Sequence, residues 1–249
     1  MENFDWEKTI RVNSFMLKFM GLWPKDDDLY KPSLYTVYAI ITTCVFMGGH
    51  NFFQTMNIFF IYTDLEAMAD TFFITITDTL ILAKTCFFIK NIKILKGLMN
   101  ELKNDVFRPK TIRQFILVQV HLDTWKSIYY SYGSVVIGTG FFWCFIPLLD
   151  GSFRRHRLPF AAWYPYNTET SPFYELTYVY QTICFTYFFV GNLSVDSAIT
   201  SLMMYTAAQC DIFCNKIQNM TPESDKIADF VKHHKKIIRY EYTVCLKNH

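Results

Sequence analysis

The sequence predicts an all-α integral membrane helical bundle with four crossing helices, and three observations predict it. Apolar side chains make up 51 % and aromatics 18 % of the 249 residues, while 18 % are charged, against roughly 25 % in an average soluble domain. No Asp, Glu, Lys or Arg occurs from Pro32 to Thr63, from Ser127 to Leu149 or from Leu176 to Val195. A soluble helix needs a polar face at every turn, whereas a lipid-facing helix of about 20 residues does not. Finally, the basic residues are distributed unevenly among the segments that join these stretches.

Taken in order, the chain divides into an amino-terminal segment (1–32), a four-span domain (33–215) and a tail (216–249). The first thirty residues lack the uninterrupted apolar run of a signal peptide. Phe15, Met16, Phe19, Met20, Leu22 and Trp23 recur at helical spacing. They predict an amphipathic helix that either lies on the inner membrane surface or packs on the ends of the spans. The first span covers about 33–53, the second 67–89 and the third 129–149. The fourth begins near Phe173 and stays apolar to about Cys210 apart from Asp196. Those roughly 35 residues extend about 52 Å at about 1.5 Å per residue. A hydrocarbon core is about 30 Å thick, so this helix tilts steeply or projects into the cytosol. In the tail, Thr221-Pro-Glu-Ser-Asp225 is a helix start, with Thr at the cap and Pro in the first turn. Ile227, Phe230, Val231, His234, Ile237 and Ile238 then form one face, expected to dock on helices outside this chain.

Lys and Arg counts supply the direction. Residues 1–32 carry five, 54–66 none, 90–128 eight, 150–172 three and 206–249 seven. With four crossings, one side holds 20 and the other 3, and Lys84 lies inside the second span. The positive-inside rule puts the amino terminus, the 90–128 connection and the tail in the cytosol. Removing the second crossing would spoil this split. The orientation is opposite to that of G-protein-coupled receptors, and neither Asp-Arg-Tyr after the third span nor Asn-Pro-x-x-Tyr is present.

Three charges inside spans, Asp78, Lys84 and Asp196, are costly unless paired or hydrated. A Lys84–Asp196 pair between helices is one expectation, and solvation near the inner boundary is the other. Asp78 sits nearer mid-membrane and is expected to face a solvated cavity. Gly133, Gly138 and Gly140 read as sites of close helix contact.

Several functions find no support. There is no basic patch with interleaved aromatics, so no nucleic-acid partner is expected. The seven cysteines do not form a disulfide framework, and none falls in an outer loop. Cys210 and Cys214, four apart on a helix, are expected to be structural, and no metal or cofactor is implied. His233 and His234 read as solvated or packed. Asn192-Leu-Ser194 and Asn219-Met-Thr221 fall in a span and in the cytosol, where glycosylation does not reach. There is no His-Glu-x-x-His, phosphate loop or Gly-x-Ser-x-Gly, so no enzyme is expected.

Three local patterns carry a resemblance. Phe15-Met-Leu-Lys-Phe-Met-Gly-Leu-Trp-Pro24 is similar to the Leu-Gly-Leu-Trp-Pro run that opens many insect odorant receptors. Leu158-Pro-Phe-Ala-Ala-Trp-Tyr-Pro-Tyr166, followed by Thr170-Ser-Pro-Phe-Tyr-Glu-Leu-Thr-Tyr-Val-Tyr-Gln181, resembles that family's outer-loop signature entering the fourth helix. Ile227-Ala-Asp-Phe-Val-Lys-His-His-Lys-Lys-Ile-Ile238 resembles the cytosolic helix before its fifth span.

The resemblance implies a multi-pass plasma-membrane receptor subunit of olfactory neurons that binds a small, apolar, volatile ligand. In complete form it would open a cation channel together with a co-receptor, in a hetero-oligomer whose contacts come from the last helices and the cytosolic part of the fourth. Binding would act by population shift, the ligand favouring the open state through its higher affinity for it. The family has seven spans, so the resemblance implies four of seven here, without the pore. That points to a partial product more than to a natural short isoform. It also implies a ligand cavity in the outer halves of spans two, three, four and six. Those halves offer Phe72, Phe73, Ile76, Phe141, Phe142, Phe145, Tyr178, Gln181 and Phe185, for each of which ordinary helix packing or lipid contact is the alternative. Tyr178 and Gln181 would each bring a hydrogen-bonding group to an apolar site. A gustatory-type chemoreceptor shares the topology. A transporter fragment is the rival of another class, and the repeated halves that mark transporters are not found.

Overall fold

The computed structural model describes residues 11–24, 33–102, 107–149, 151, 155–218 and 227–246, and every regular element among them is helical. Helix α1 (Arg11–Phe19) ends in a left-handed turn at Gly21, φ +79°. There the Gly21 N–H bonds Lys18 O (3.2 Å) and the Leu22 N–H bonds Leu17 O (2.9 Å), a Schellman stop. Leu17 and Leu22 are both 1 % exposed and supply the apolar contact that accompanies such a stop. A side chain at Gly21 would also put its Cβ 2.8 Å from Ala39 Cα, so only glycine fits the turn and its close approach.

Carbonyls of this end also accept from tyrosines. Tyr35 donates to Lys18 O and Trp23 O (both 3.0 Å), Tyr38 to Phe19 O (2.5 Å), and Tyr187 to Met20 O. Lys96 lies 5.8 Å from the Trp23 ring centre and donates to Pro24 O at 2.5 Å. The Gly-Leu-Trp-Pro run is thus a docking joint.

The first crossing begins at Ser33, whose side chain accepts from Thr36 N (3.2 Å). It runs through α2 (Leu34–Thr42), a π-helical stretch (Thr43–Gly49) and α3 (His50–Phe60). Tyr180 donates to Val45 O within the π-helical stretch (2.8 Å), and a Cβ at Gly49 would lie 2.9 Å from that hydroxyl. Asp64 caps α4 (Leu65–Lys90) by accepting from Glu66 N and Ala67 N, both at 3.1 Å. Thr71, Thr75 and Thr79 donate to carbonyls four residues back, so their hydroxyls are satisfied without water. Helix α5 (Ile92–Glu101) follows, then α6 (Ile112–Leu149, 38 residues), α7 (Phe173–Gln218, 46 residues) and α8 (Ile227–Leu246).

Helix α7 is the axis, touching α1, α4, α6, α8 and the π-helical stretch. At about 1.5 Å per residue it is about 69 Å long, more than twice a hydrocarbon core of about 30 Å. By length and composition, α4 and α7 qualify singly as crossings. The densest core is at the Lys/Arg-rich end, where Leu95, Leu98, Leu122, Trp125, Leu202, Tyr205, Ile212 and Tyr240 are buried. Tyr205 and Gln209 both donate to Phe107 O at 3.0 Å.

Several elements differ from the sequence expectation. The first crossing continues to Phe60, past the expected end at 53. The 90–128 connection is mostly helical, because α5 and the first turns of α6 bury Ile92, Leu95, Leu98, Val118 and Leu122 in the basic-end core. Helix α1 packs on α7 through Leu17 and Met20, while Phe15 and Phe19 each remain 63 % exposed. In α8, Ile237 and Tyr240 are buried within this chain, whereas Val231 and Ile238 are exposed. Of the expected face, Ile237 is therefore covered by this chain, while Val231, His234 and Ile238 are exposed. Gly133 meets Leu193 at an ordinary 3.6 Å, and Gly138 and Gly140 face nothing within 4 Å among the described residues. The helix start at 221–225 lies outside the described residues.

Candidate ligand-binding cavity

Away from the basic end, α4, α6 and α7 line a half-enclosed cavity of about 260 Å³. Helix α4 contributes Phe73, Ile74, Thr77, Asp78 and Ile81, and α6 contributes Tyr132, Val136 and Trp143. From α7 come Phe185, Phe188, Phe189 and Asn192. The spacings on α4 and α7 are those of a single helix face. The volume exceeds the ~150 Å³ of an apolar cavity that takes benzene, so it admits a one-ring ligand with a short substituent.

The remaining wall, Phe160, belongs to the loop between α6 and α7 and is fixed there by Gln181. The Gln181 side chain donates to Phe160 O (3.0 Å) and accepts from Phe160 N (3.1 Å), as a neighbouring strand would. It also donates to the Tyr164 hydroxyl (3.2 Å), whose pKa burial pushes up. The Phe160 ring stacks on Trp143 (5.5 Å, 17°) and packs on Phe185 (4.7 Å) and edge-on to His50 (5.7 Å). The rest of the loop is tied down by Trp163 N to Phe53 O (3.0 Å), Trp163 stacking on Phe60 (5.4 Å, 11°), and Tyr166 to Thr177 (2.9 Å). These contacts give the Leu-Pro-Phe…Trp-Tyr-Pro-Tyr…Gln pattern a structural reason.

At one edge of the cavity lies a small polar cluster. Asp78, 8 % exposed, has Oδ2 3.9 Å from Nε2 of the fully buried His50. Gln54 Nε2 is 3.1 Å from His50 Nε2. Further along α7, Lys84 meets Asp196 at 2.6 Å and Asn192 Oδ1 at 2.5 Å, so the two charges are paired between α4 and α7. No group of three or more His, Cys, Asp or Glu suited to a metal occurs among the described residues.

Of the sequence candidates, Phe73 and Phe185 line the cavity. Phe72, Ile76, Phe141, Phe142 and Phe145 are 44–61 % exposed and are not among its lining residues. Gln181 is fully buried and occupied with the loop, and Tyr178 donates to Cys144 O at 2.5 Å. Trp143, Phe160, Phe188 and the His50–Gln54 pair were not singled out by the sequence. The Leu-Pro-Phe tripeptide of the loop signature was the available pointer to Phe160; nothing in the sequence distinguished the others.

Comparison with known proteins agrees with the architecture. The chain is 27 % identical over 214 residues to Odorant receptor Or1 of Anopheles gambiae, a match covering 82 % of this chain and 50 % of that protein. It superposes on the olfactory receptor OR5 of Machilis hrabei with a TM-score of 0.78 at 17 % identity, covering 96 % of this chain and 64 % of the other. The same receptor in complex with eugenol gives 0.79 at 18 % identity, with 97 % and 65 % covered. The chain therefore spans half the length of the curated relative and about two thirds of the solved chains. The sequence model of the 7tm Odorant receptor family matches residues 64–244, most of the chain. This match sets aside the gustatory, transporter and enzyme readings: the chain belongs to the 7tm odorant receptor family of multi-pass membrane receptors.

Proposed function

We propose that this protein is an odorant receptor subunit that binds a small volatile ligand in the cavity between α4, α6 and α7. The single observation that carries the reading is that cavity: aromatic on most sides, walled by a pinned loop residue, and sized for a one-ring molecule. Its ligand-lining set is Phe73, Trp143, Phe160, Phe185, Phe188 and Phe189, with Gln181 positioning Phe160. Tyr178 steadies the end of α6, and Phe72, Ile76, Phe141, Phe142 and Phe145 face lipid or further helices. The solved OR5 complex contains eugenol, itself a one-ring molecule, which supports a ligand of this class.

The subunit lies in the plasma membrane with its amino terminus in the cytosol, a reading supported by the 20-to-3 division of basic residues. Opening of a cation channel belongs to the receptor assembled with its co-receptor. Ligand would shift that assembly towards the open state in proportion to its differential affinity. Co-expression with the co-receptor tests this. Odorant-evoked cation currents that require both chains support it, and currents from the 249-residue chain alone contradict it.

A further inference from the structure

We propose that the cavity selects ligands that donate a hydrogen bond, and that the Asp78 carboxylate is the acceptor that reads the donor. The inference rests on the reading of the cavity as the ligand site and adds a chemical class to it. Among the polar groups on the wall, Thr77 already donates to Phe73 O (2.9 Å), the Asn192 oxygen is taken by Lys84 (2.5 Å), and Tyr132 brings a neutral hydroxyl that can both donate and accept. Lys84 is also committed to Asp196 at 2.6 Å. Asp78 differs from these. An ionised carboxylate has about four lone-pair sites. His50 stands 3.9 Å away, beyond hydrogen-bond reach. The residue is 8 % exposed, its side chain 11 %, and it nevertheless lines the cavity.

A carboxylate within a span is expensive unless donors surround it, and the cavity that Asp78 lines is a side from which a ligand can supply one. A ligand hydroxyl seated among Phe73, Phe185 and Phe189 would complete that shell. An acceptor-only ligand of the same shape would set its oxygen against the carboxylate and be rejected.

The test uses two one-ring ligands with the same skeleton, 1-phenylethanol and acetophenone, the first with an O–H donor and the second with a carbonyl only. Binding is measured by equilibrium dialysis against the 249-residue chain in lipid nanodiscs, with empty nanodiscs as the blank. The wild-type chain should bind the alcohol at least about tenfold more tightly than the ketone. In Asp78→Asn, which offers the ketone an N–H, the two affinities should come within about threefold. Equal binding in the wild-type chain overturns the proposal without touching the cavity reading, as does a preference that survives Asp78→Asn. Saturable binding of neither ligand overturns the cavity reading and this inference with it.

Discussion

Replacing Gln181 by Leu removes a side chain of similar length whose whole polar complement is spent on one loop. The substitution leaves Phe160 N–H and Phe160 C=O without the partners they hold at 3.1 and 3.0 Å. Each buried backbone group left unsatisfied costs about 1–3 kcal/mol, so with two such groups closing the loop on α7 should weaken by about 2–6 kcal/mol. At about 1.4 kcal/mol per decade, the open population rises roughly 30- to 20,000-fold. Hydrogen–deuterium exchange of the peptide 158–164 reads this directly, because the Phe160 amide is protected by the bond that is lost. Exchange at α7 residues 201–209, in the basic-end core, should stay unchanged and serves as the internal control. Ligand affinity should fall as well, since Phe160 walls the cavity. Exchange at Phe160 within about threefold of wild type would refute the view that Gln181 holds this loop.

Three further outcomes follow from the joints described above. Gly21→Ala forces a Cβ into a left-handed turn and against Ala39, so it should cost at least about 1–2 kcal/mol and lower the thermal midpoint, with α1 becoming protease-accessible. Lys84→Met and Asp196→Asn should each reduce surface expression, and the double variant should lose less than the product of the two, because each single variant strands a charge; additive losses contradict the pair. An epitope tag at Met1 should be reachable by antibody only after permeabilisation, and labelling of intact cells would reverse the orientation.

How much of this was legible in the sequence depended on which signal each feature leaves. Crossings leave long charge-free stretches, and α4 and α7 begin within two residues of their expected starts because Asp64 and the Ser171–Pro172 turn punctuate the sequence. The Lys84–Asp196 pair was foreseeable because charges are rare in spans. Facing was not. In a membrane helix both lipid and core accept apolar side chains, so neither periodicity nor exposure tells that Phe73, 74 % exposed, lines the cavity while its neighbour Phe72, 53 % exposed, does not. The same ambiguity separates Trp143 from Phe141, Phe142 and Phe145. His50 lay hidden in a charge-free stretch, and its place beside Asp78 is set by how α3 packs on α4, including Asn51 donating to Thr79 at 3.0 Å. The π-helical stretch is equally silent in sequence, since Gly48-Gly49 permits it without demanding it.

The most direct test of the account is to fill the cavity. Val136, buried on α6 and part of the wall, is replaced by Trp, and intact folding is confirmed by helicity and by unchanged exchange at Phe160. Dialysis with 1-phenylethanol should then show saturable binding to the wild-type chain and none to Val136→Trp. Binding of equal affinity in both would mean that small ligands occupy some other part of the molecule.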